Sequence, residues 1–252
     1  MQTVRNLHRA HLLAIPFENI EIQLGEIPSL EHDAIFSKLV VNERGGWCFE
    51  QNLLFAWALK QIGVRHELIG ASVNRTKAVD GAPINHLAVL AYVEEKPYLC
   101  DVGFGNGCLT PLPLEEGTFN DTRFDFKLVH HGHHWRFYNH RENGASYDFT
   151  GEPVDRATIE AANATLATAL DSPFVQTLVV ARLTEDGFST LTNAALRRHT
   201  PTQINEESSP NAAALALVLK EHFSLEIPNV DSLWTRVAEQ HKKWLRQRIR
   251  GF

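Results

Sequence analysis

Hydrophobic residues recur at helical spacing through the first quarter of the chain. This spacing predicts helices over residues 2–14, 31–41 and 48–62. Pro16 ends the first helix, because proline cannot continue the hydrogen-bond ladder, and Gly63 is a typical C-terminal cap of the third. The first third of the chain is therefore predicted to be helical.

From Val64 onward the apolar pattern is that of β-strands. Short runs rich in β-branched and aromatic residues are separated by turn signals at close intervals. The runs that predict strands in this stretch are residues 66–69, 87–93, 97–102, 124–129 and 135–138. Turns spaced in this way favour an antiparallel sheet that closes into a barrel.

The last third of the chain mixes the two patterns. Strands are predicted at 174–183 and 188–192, joined by a turn at 185–187. Helices are predicted near 210–222 and 231–249. Helices first, strands next and a mixed end indicate an α+β fold.

The composition is that of an ordinary globular protein: 252 residues, 44% hydrophobic, 21% charged, with a net charge of -6. This acidic balance gives no electrostatic footprint for nucleic acid. Every apolar stretch is shorter than the roughly eighteen residues of a membrane span, and the N-terminus carries charges where a secretory signal is apolar. Three cysteines do not suggest a disulfide framework, so a reducing cytoplasm is the expected compartment.

The C-terminal tail is an exception to the acidic balance. Its basic residues are Lys242, Lys243, Arg246, Arg248 and Arg250. The simplest interpretation is a solvated helix face. The alternative is a site for the phosphates of an anionic cofactor or for a membrane surface.

Cys48 has the sequence context of a reactive thiol. It follows Gly45 and Gly46, which let the backbone turn tightly, and it precedes a strongly helical run. The positive end of a helix dipole favours thiolate over thiol. Most free cysteines are instead small buried hydrophobic residues, and that alternative stays open at this point.

Two downstream side chains complete a candidate constellation. His86 opens a predicted strand, where a neutral imidazole can take a thiol proton, although it is one of thirteen histidines. Asp101 ends the next strand, where a carboxylate either fixes the histidine tautomer or bonds to turn amides. Cys, His and Asp in this order are suited to act as nucleophile, base and orienting group.

A histidine cluster further along suggests a metal site at first sight. Its members are His130, His131, His133 and His134. The cluster spans a predicted turn at Gly132, and adjacent strand residues face opposite sides, whereas zinc ligands have defined spacing. The glycine-rich stretch 103–107 also lacks the spacing of a dinucleotide fingerprint. Neither a metal nor a bound cofactor is therefore expected.

Three segments together resemble the arylamine N-acetyltransferase family, which includes N-hydroxyarylamine O-acetyltransferases. They are Arg44–Asn52 with the pattern R-G-G-x-C-F-E-x-N, the histidine at the start of His86–Val89, and Asp101–Gly105 with the pattern D-V-G-F-G. Fainter similarity at Ile15–Asn19 and after Asp171 extends over most of the chain. Family members usually carry a longer segment before Pro16, so the N-terminal bundle is expected to be less stable here.

The resemblance implies a three-part architecture. A helical bundle over residues 1–63 would carry the nucleophile, an antiparallel β-barrel over 64–170 would carry the histidine and aspartate, and an α/β lid would span 171–252. It also implies a core shared with papain-like and transglutaminase-like cysteine enzymes.

The resemblance also implies a reaction. Cys48 would attack the thioester of acetyl-CoA, a co-substrate, and an arylamine, N-hydroxyarylamine or hydrazine would then take the acetyl group with His86, oriented by Asp101, as base. Phe17 and Phe104 match aromatic positions that line the acceptor pocket in the family, although either is also consistent with core packing.

Backbone flexibility near the second aromatic position adds to this picture. Gly103 and Gly105 flank Phe104, so the backbone there can approach the co-substrate closely. The expected partners are therefore acetyl-CoA and a small aromatic amine or hydrazine, while the sequence leaves the oligomeric state open.

Two alternatives use the same residues. A cysteine hydrolase or transglutaminase-like amidase needs the same three groups, and competition between amine and water for the acyl group separates it from a transferase. A binding module that kept the motif without turnover is the second alternative. A single cysteine that reacts rapidly with an alkylating agent would argue against that module.

Overall fold

The computed structural model describes residues 1–73, 83–140 and 145–250, with side chains up to residue 246. Its N-terminal elements are α1 (Gln2–Ala14), β1 (Phe17–Glu18), α2 (Ile20–Gln23), α3 (His32–Phe36) with a π-helical turn (Ser37–Val41), and α4 (Cys48–Gln61). The three predicted helices are confirmed as α1, α3 with its π-helical turn, and α4. Gly63 adopts a φ of 70° and donates its N–H to the Lys60 carbonyl at 3.1 Å, as a C-terminal cap does.

An eight-stranded sheet occupies the middle of the chain. Its strands are β2 (His66–Val73), β3 (His86–Val93), β4 (Lys96–Cys100), β5 (Leu112–Pro113), β6 (Gly117–Asn120), β7 (Asp125–His131), β8 (His134–Tyr138) and β9 (Tyr147–Pro153). They pair antiparallel in the order β5-β4-β3-β2-β9-β8-β7-β6 and form a nearly closed barrel. Aromatic side chains, among them Phe126, Phe137 and Phe149, fill its interior. The predicted antiparallel barrel in an α+β fold is therefore confirmed.

The last part of the chain forms a second antiparallel sheet covered by helices. Its elements are α5 (Arg156–Thr168), α6 (Pro173–Gln176), β10 (Val179–Leu183), β11 (Phe188–Thr192), β12 (Ala195–His199), β13 (Ile204–Ser208), α7 (Ala212–Phe223) and α8 (Val230–Arg250). The sheet order is β1-β10-β11-β12-β13. The helices predicted near 210–222 and 231–249 are confirmed as α7 and α8.

The strand predicted at 174–183 is wrong in its first half. Residues Pro173–Gln176 form α6, and the strand begins only at Val179. The Ser172 hydroxyl accepts the Phe174 N–H at 3.3 Å, and proline occupies the first turn. A serine N-cap followed by proline is a helix start, and it overrides the strand propensity of Phe174 and Val175.

Strand β1 ties the segment before the candidate nucleophile to the last sheet. Phe17 pairs with Ala181 across β1 and β10, and it also forms a parallel bridge with Gly46. Helix α1 buries Val4 and Leu12 in a core that Phe55 of α4 shares. The boundaries at residues 63 and 170, the lid and the papain-like core stay predictions.

The basic tail is the C-terminal part of α8. Lys242, Lys243 and Arg246 are exposed there, while the side chains of Arg248 and Arg250 lie outside the described residues. Within the described ranges, no helix combines the length and the apolar character needed to cross a bilayer.

Candidate active site

Cys48 is the first residue of α4, and the loop before it holds it there. A side chain on Gly45 would place its Cβ 2.5 Å from the Pro16 carbonyl oxygen, so only glycine fits. The Glu50 carboxylate accepts the Trp47 N–H at 3.2 Å, which closes the first turn of the helix. Cys48 is 2% exposed and lines a cavity.

Two partly buried ion pairs support this loop. Arg44 donates to the Glu18 carboxylate at 2.8 Å, and Lys38 donates to Glu50, also at 2.8 Å. Burial raises the pKa of Glu50 to about 7, against the opposing effect of the Lys38 ammonium. These pairs hold the segment Arg44–Gly46 in place before Cys48. Truncating one residue of either pair would leave the charge of the other without its partner, which destabilises the loop.

His86 and Asp101 come together because their strands are neighbours. β3 begins at His86 and pairs antiparallel with β4, which ends one residue before Asp101. The His86 Nε2 atom lies 2.7 Å from Asp101 Oδ2, and His86 lines the same cavity as Cys48. With Nε2 bound to the carboxylate, the Nδ1 atom is left to interact with the thiol.

The electrostatics favour a charged imidazole. Burial alone lowers the pKa of His86, but the charge and hydrogen bond of Asp101, together with Cys48, raise it well above its ordinary 6.5. Burial raises the pKa of Asp101, but His86, the Gly103 N–H and Asn52 more than offset this and lower it below its ordinary value. An imidazolium held in this way is the partner that a thiolate needs.

Asn52, one turn into α4, connects all three segments. Its Nδ2 donates to the Leu87 carbonyl at 2.7 Å, the Cys48 carbonyl at 3.2 Å and the Asp101 carboxylate at 3.3 Å. Its Oδ1 accepts the Val102 N–H at 3.2 Å. The sequence motif includes Asn52 but does not show which groups in the other two segments it contacts.

The cavity that Cys48 and His86 line has a volume of about 510 Å³. Phe17 and Phe104 lie in its wall, as the family resemblance implies, and Phe174 of α6 adds a third ring. The Phe17 and Phe174 ring centroids are 6.4 Å apart, and Phe104 lies edge-on to the His86 ring at 5.2 Å. The family similarity that begins at Asp171 includes Phe174, but the sequence alone gave Phe174 no role in the cavity wall.

The two glycines around Phe104 have different surroundings. Gly103 lines the cavity, and a Cβ there would lie 2.6 Å from the Cys48 Cα and 2.5 Å from Asn52 Nδ2. Gly105 has a φ of 78° and packs against the Phe17 side chain. Both positions require glycine for packing, and contact with the co-substrate stays a prediction for both.

Tyr147 lies behind the histidine and was not found from the sequence. Its ring centroid is 5.1 Å from those of both His86 and Phe104. Burial, together with the nearby Asp101 charge, raises the pKa of this phenol well above its usual range, so it stays protonated. Tyr147 thus forms a neutral wall between the barrel interior and the His86–Asp101 pair.

The histidine cluster forms a hairpin tip. Gly132 turns with a φ of 64°, and the His130 ring packs on Trp135 at 4.5 Å between centroids. Among the residues described, no group of three or more His, Cys, Asp or Glu is arranged to hold a metal ion. Cys100 and Cys108 are buried and unpaired like Cys48, and the cytoplasm stays a prediction.

Comparison with known proteins identifies the relatives of this chain. The profile of the N-acetyltransferase family matches residues 1–232. An arylamine N-acetyltransferase of Mycolicibacterium smegmatis is 32% identical over 249 residues, covering 94% of this chain and 90% of the relative. An arylamine N-acetyltransferase / N-hydroxyarylamine O-acetyltransferase of Salmonella typhimurium is 31% identical over 91% of this chain and 84% of its own.

A solved structure shows the same fold. The arylamine N-acetyltransferase of Mycobacterium marinum in complex with CoA has a TM-score of 0.85 and 27% identity, covering 94% of this chain and 92% of that one. Fold and sequence together define an acyltransferase. The chain belongs to the arylamine N-acetyltransferase family, whose enzymes are acetyl-CoA-dependent transferases.

Proposed function

We propose that this enzyme moves an acetyl group from acetyl-CoA to an arylamine, N-hydroxyarylamine or hydrazine through an acetyl-Cys48 intermediate. One observation carries the proposal: Cys48 begins a helix in the wall of a largely apolar cavity that His86, paired with Asp101, also lines. The relative crystallised with CoA and the relatives named for arylamine substrates support the substrate classes.

In the first half-reaction, the His86 imidazole takes the Cys48 thiol proton at Nδ1. The thiolate sulfur attacks the acetyl carbonyl carbon of acetyl-CoA, and the thioester bond to CoA breaks when the tetrahedral intermediate collapses. The departing CoA sulfur takes the proton from the imidazolium. Asp101 stabilises the imidazolium throughout and keeps its own negative charge.

The oxyanion of that intermediate needs backbone donors. The Gly103 N–H already donates to Asp101 Oδ1 at 3.0 Å. The Cys48 N–H belongs to the first turn of α4, whose amides have no acceptor within the helix. We therefore assign the oxyanion to the Cys48 amide, aided by the positive end of the helix dipole.

In the second half-reaction, the amine nitrogen attacks the acetyl-cysteine carbonyl and His86 removes its proton. The carbon–sulfur bond breaks, and Cys48 leaves as the thiolate. Phe17, Phe104 and Phe174 surround the space beside Cys48 with aromatic faces, which suit a flat aromatic acceptor. Because CoA leaves before the amine enters, one cavity serves both substrates.

The hydrolase alternative differs in the second step alone. A transferase must favour the amine over water, although water is present at roughly 55 M and a typical substrate KM lies below about 1 mM. The apolar wall of the cavity favours an aromatic amine by removing its ring from water. Acetyl transfer is therefore expected to exceed hydrolysis at saturating arylamine.

Initial-rate kinetics test the proposal. With acetyl-CoA varied at several fixed arylamine concentrations, a two-step covalent mechanism gives parallel double-reciprocal lines. Intersecting lines would show that both substrates bind before transfer and would contradict an acetyl-enzyme. Free acetate measured in the same samples distinguishes a transferase from a hydrolase. In a hydrolase, adding the amine leaves the amount of acetate unchanged, because the acetyl group still goes to water.

A further inference from the structure

Gln51, near the start of α4, holds both peptide groups that precede Cys48. Its backbone N–H donates to the Trp47 carbonyl at 3.0 Å. Its side-chain Nε2 donates to the Gly46 carbonyl at 2.9 Å and to the Pro16 carbonyl at 3.3 Å. The peptide group between Trp47 and Cys48 carries the Cys48 N–H, so the direction of this donor depends on Gln51.

The peptide group between Gly46 and Trp47 is held from both sides. Its N–H, on Trp47, donates to the Glu50 carboxylate at 3.2 Å, and its carbonyl, on Gly46, accepts from Gln51. Because a peptide group is planar, fixing its donor and its acceptor together fixes the orientation of the whole plane. The backbone therefore enters α4 in one orientation, which two adjacent side chains determine.

His11 of α1 sets the orientation of the Gln51 side-chain amide. The two backbone groups that this amide meets are carbonyl oxygens, so the end that faces them is the NH2 group. The Gln51 Oε1 atom then accepts a hydrogen bond from His11 Nε2 at 3.0 Å, which assigns the proton of the neutral ring to Nε2. Burial lowers the pKa of His11 to about 4, so the ring stays neutral near pH 7.

Both side chains are inside the protein and away from the substrate. Gln51 is 1% exposed and His11 is 9% exposed. In the part of the chain that the structure describes, neither of them lines the catalytic cavity. A Gln51 amide turned the other way would place Oε1 against two carbonyl oxygens, an arrangement of acceptors without a donor. The contact with His11 therefore keeps the NH2 group on the backbone before Cys48.

We propose that Gln51, oriented by His11, is the positioning residue that aims the Cys48 N–H at the oxyanion. This role rests on the proposed acetyl transfer, in which that amide binds the oxyanion of both tetrahedral intermediates. A donor stabilises such an oxyanion when it lies roughly 2.7–3.1 Å from the oxygen on which the charge develops. Gln51 and His11 hold the donor in that direction without contacting the substrate.

Acylation and alkylation of Cys48 separate this role from general support of the site. Acylation by acetyl-CoA or by p-nitrophenyl acetate forms an oxyanion, whereas alkylation by iodoacetamide forms none. Gln51→Leu is expected to lower the single-turnover rate of acylation at least about tenfold with both donors. The rate of alkylation should keep its wild-type value and pH profile, because it depends on the thiolate. Gln61→Leu is the matched control, since Gln61 is an exposed glutamine of the same helix.

Substitutions of His11 test the orientation of the Gln51 amide. His11→Phe removes the donor to Oε1 and is expected to lower the acylation rate at least about threefold. His11→Gln presents an N–H at a similar reach and should restore the wild-type rate. Nitrogen-15 NMR of the wild-type protein should show His11 as the Nε2–H tautomer, which is independent of any activity.

Wild-type acylation by Gln51→Leu would overturn the positioning role, as would an equal fall in acylation and alkylation. Wild-type acylation by His11→Phe, or an Nδ1–H tautomer of His11, would overturn the part assigned to His11. If Gln51→Leu does not fold, the His11 variants and the tautomer decide between these outcomes. Wild-type protein that p-nitrophenyl acetate acetylates and acetyl-CoA does not would contradict the proposed function alone, because the ester still measures the effect of Gln51.

Discussion

His86 Nε2 and Asp101 Oδ2 lie 2.7 Å apart, and both side chains are at most 9% exposed. This contact decides which imidazole nitrogen is available to the thiol. The carboxylate accepts a hydrogen bond from Nε2–H and leaves Nδ1 free to act as the base toward Cys48. Every step of the proposed reaction passes through this orientation of the ring.

Asp101→Asn tests that contact. The amide can present a donor to Nε2, which favours the wrong tautomer and removes the charge that supports an imidazolium. We expect kcat/KM to fall at least roughly 10²-fold, about 2.7 kcal/mol of transition-state stabilisation, with every amine. Single-turnover kinetics should place the loss in acylation. A folded Asp101→Asn protein that acylates at the wild-type rate would reduce Asp101 to a turn residue.

Gly103→Ala should disable the site through packing. The new Cβ would lie 2.6 Å from the Cys48 Cα and 2.5 Å from Asn52 Nδ2, both inside contact distance. We expect acylation to fall by at least roughly 10²-fold, because a displacement of about 1 Å near the reacting atoms has costs of that order. Gly107→Ala is the control, since its nearest neighbour would be 3.5 Å away. Equal activities of the two variants would contradict the geometry.

Asn52→Ala should affect both stability and rate. It removes the donor to the Leu87 carbonyl and the acceptor for the Val102 N–H, which are both buried. Each unsatisfied group costs about 1–3 kcal/mol, so the free energy of unfolding should fall by at least that amount. Urea titration measures the free energy of unfolding, and an acylation assay measures the rate. A variant with wild-type stability and a wild-type acylation rate would show that Asn52 does not position the site.

Two buried histidines of α1 should make the fold sensitive to acid. Burial lowers the pKa of both His8 and His11 to about 4, from an ordinary 6.5. Between those values the unfolded chain binds more protons than the folded one, so stability falls as the pH drops from 6.5 toward 4. The contribution is on the order of 3 kcal/mol for each histidine.

His8→Gln removes one of these groups while keeping a donor for the Leu109 carbonyl. The melting temperature of this variant should fall less steeply with decreasing pH than that of the wild type. His131→Gln provides the control, because that histidine is exposed. A His8→Gln profile with the same slope as the wild type would show that His8 does not contribute to the acid sensitivity.

Long periodic elements were predictable from the sequence. The apolar faces of α1, α4, α7 and α8 and the β-branched runs of β3 and β7 are local signals that tertiary contacts reinforce. Helix α5, the edge strands and the interior strands β9 and β12 were missed. The Asp155 N-cap of α5 accepts the Thr158 N–H at 2.7 Å, but alanine and polar residues dilute the apolar period that follows.

In the candidate site, too, some residues were predictable from the sequence and others were not. The motif around Cys48 and the family resemblance were sufficient to select His86 and Asp101, which lie far apart in the chain. Asn52 and Tyr147 could not be assigned, because their partners are set by how α4 packs on the barrel and by the position of β9 within it. Such contacts join residues tens of positions apart, and no local pattern encodes them.

Mass spectrometry of the intact protein after mixing with acetyl-CoA alone tests whether Cys48 carries the acetyl group. We expect one added acetyl group in the absence of any amine, located on the peptide that contains Cys48. Cys48→Ala should gain none while it stays folded, and an arylamine should remove the group from the wild-type protein. An acetyl group that maps to Cys100 or Cys108, or a fully active protein that is never acetylated, would contradict Cys48 as the nucleophile.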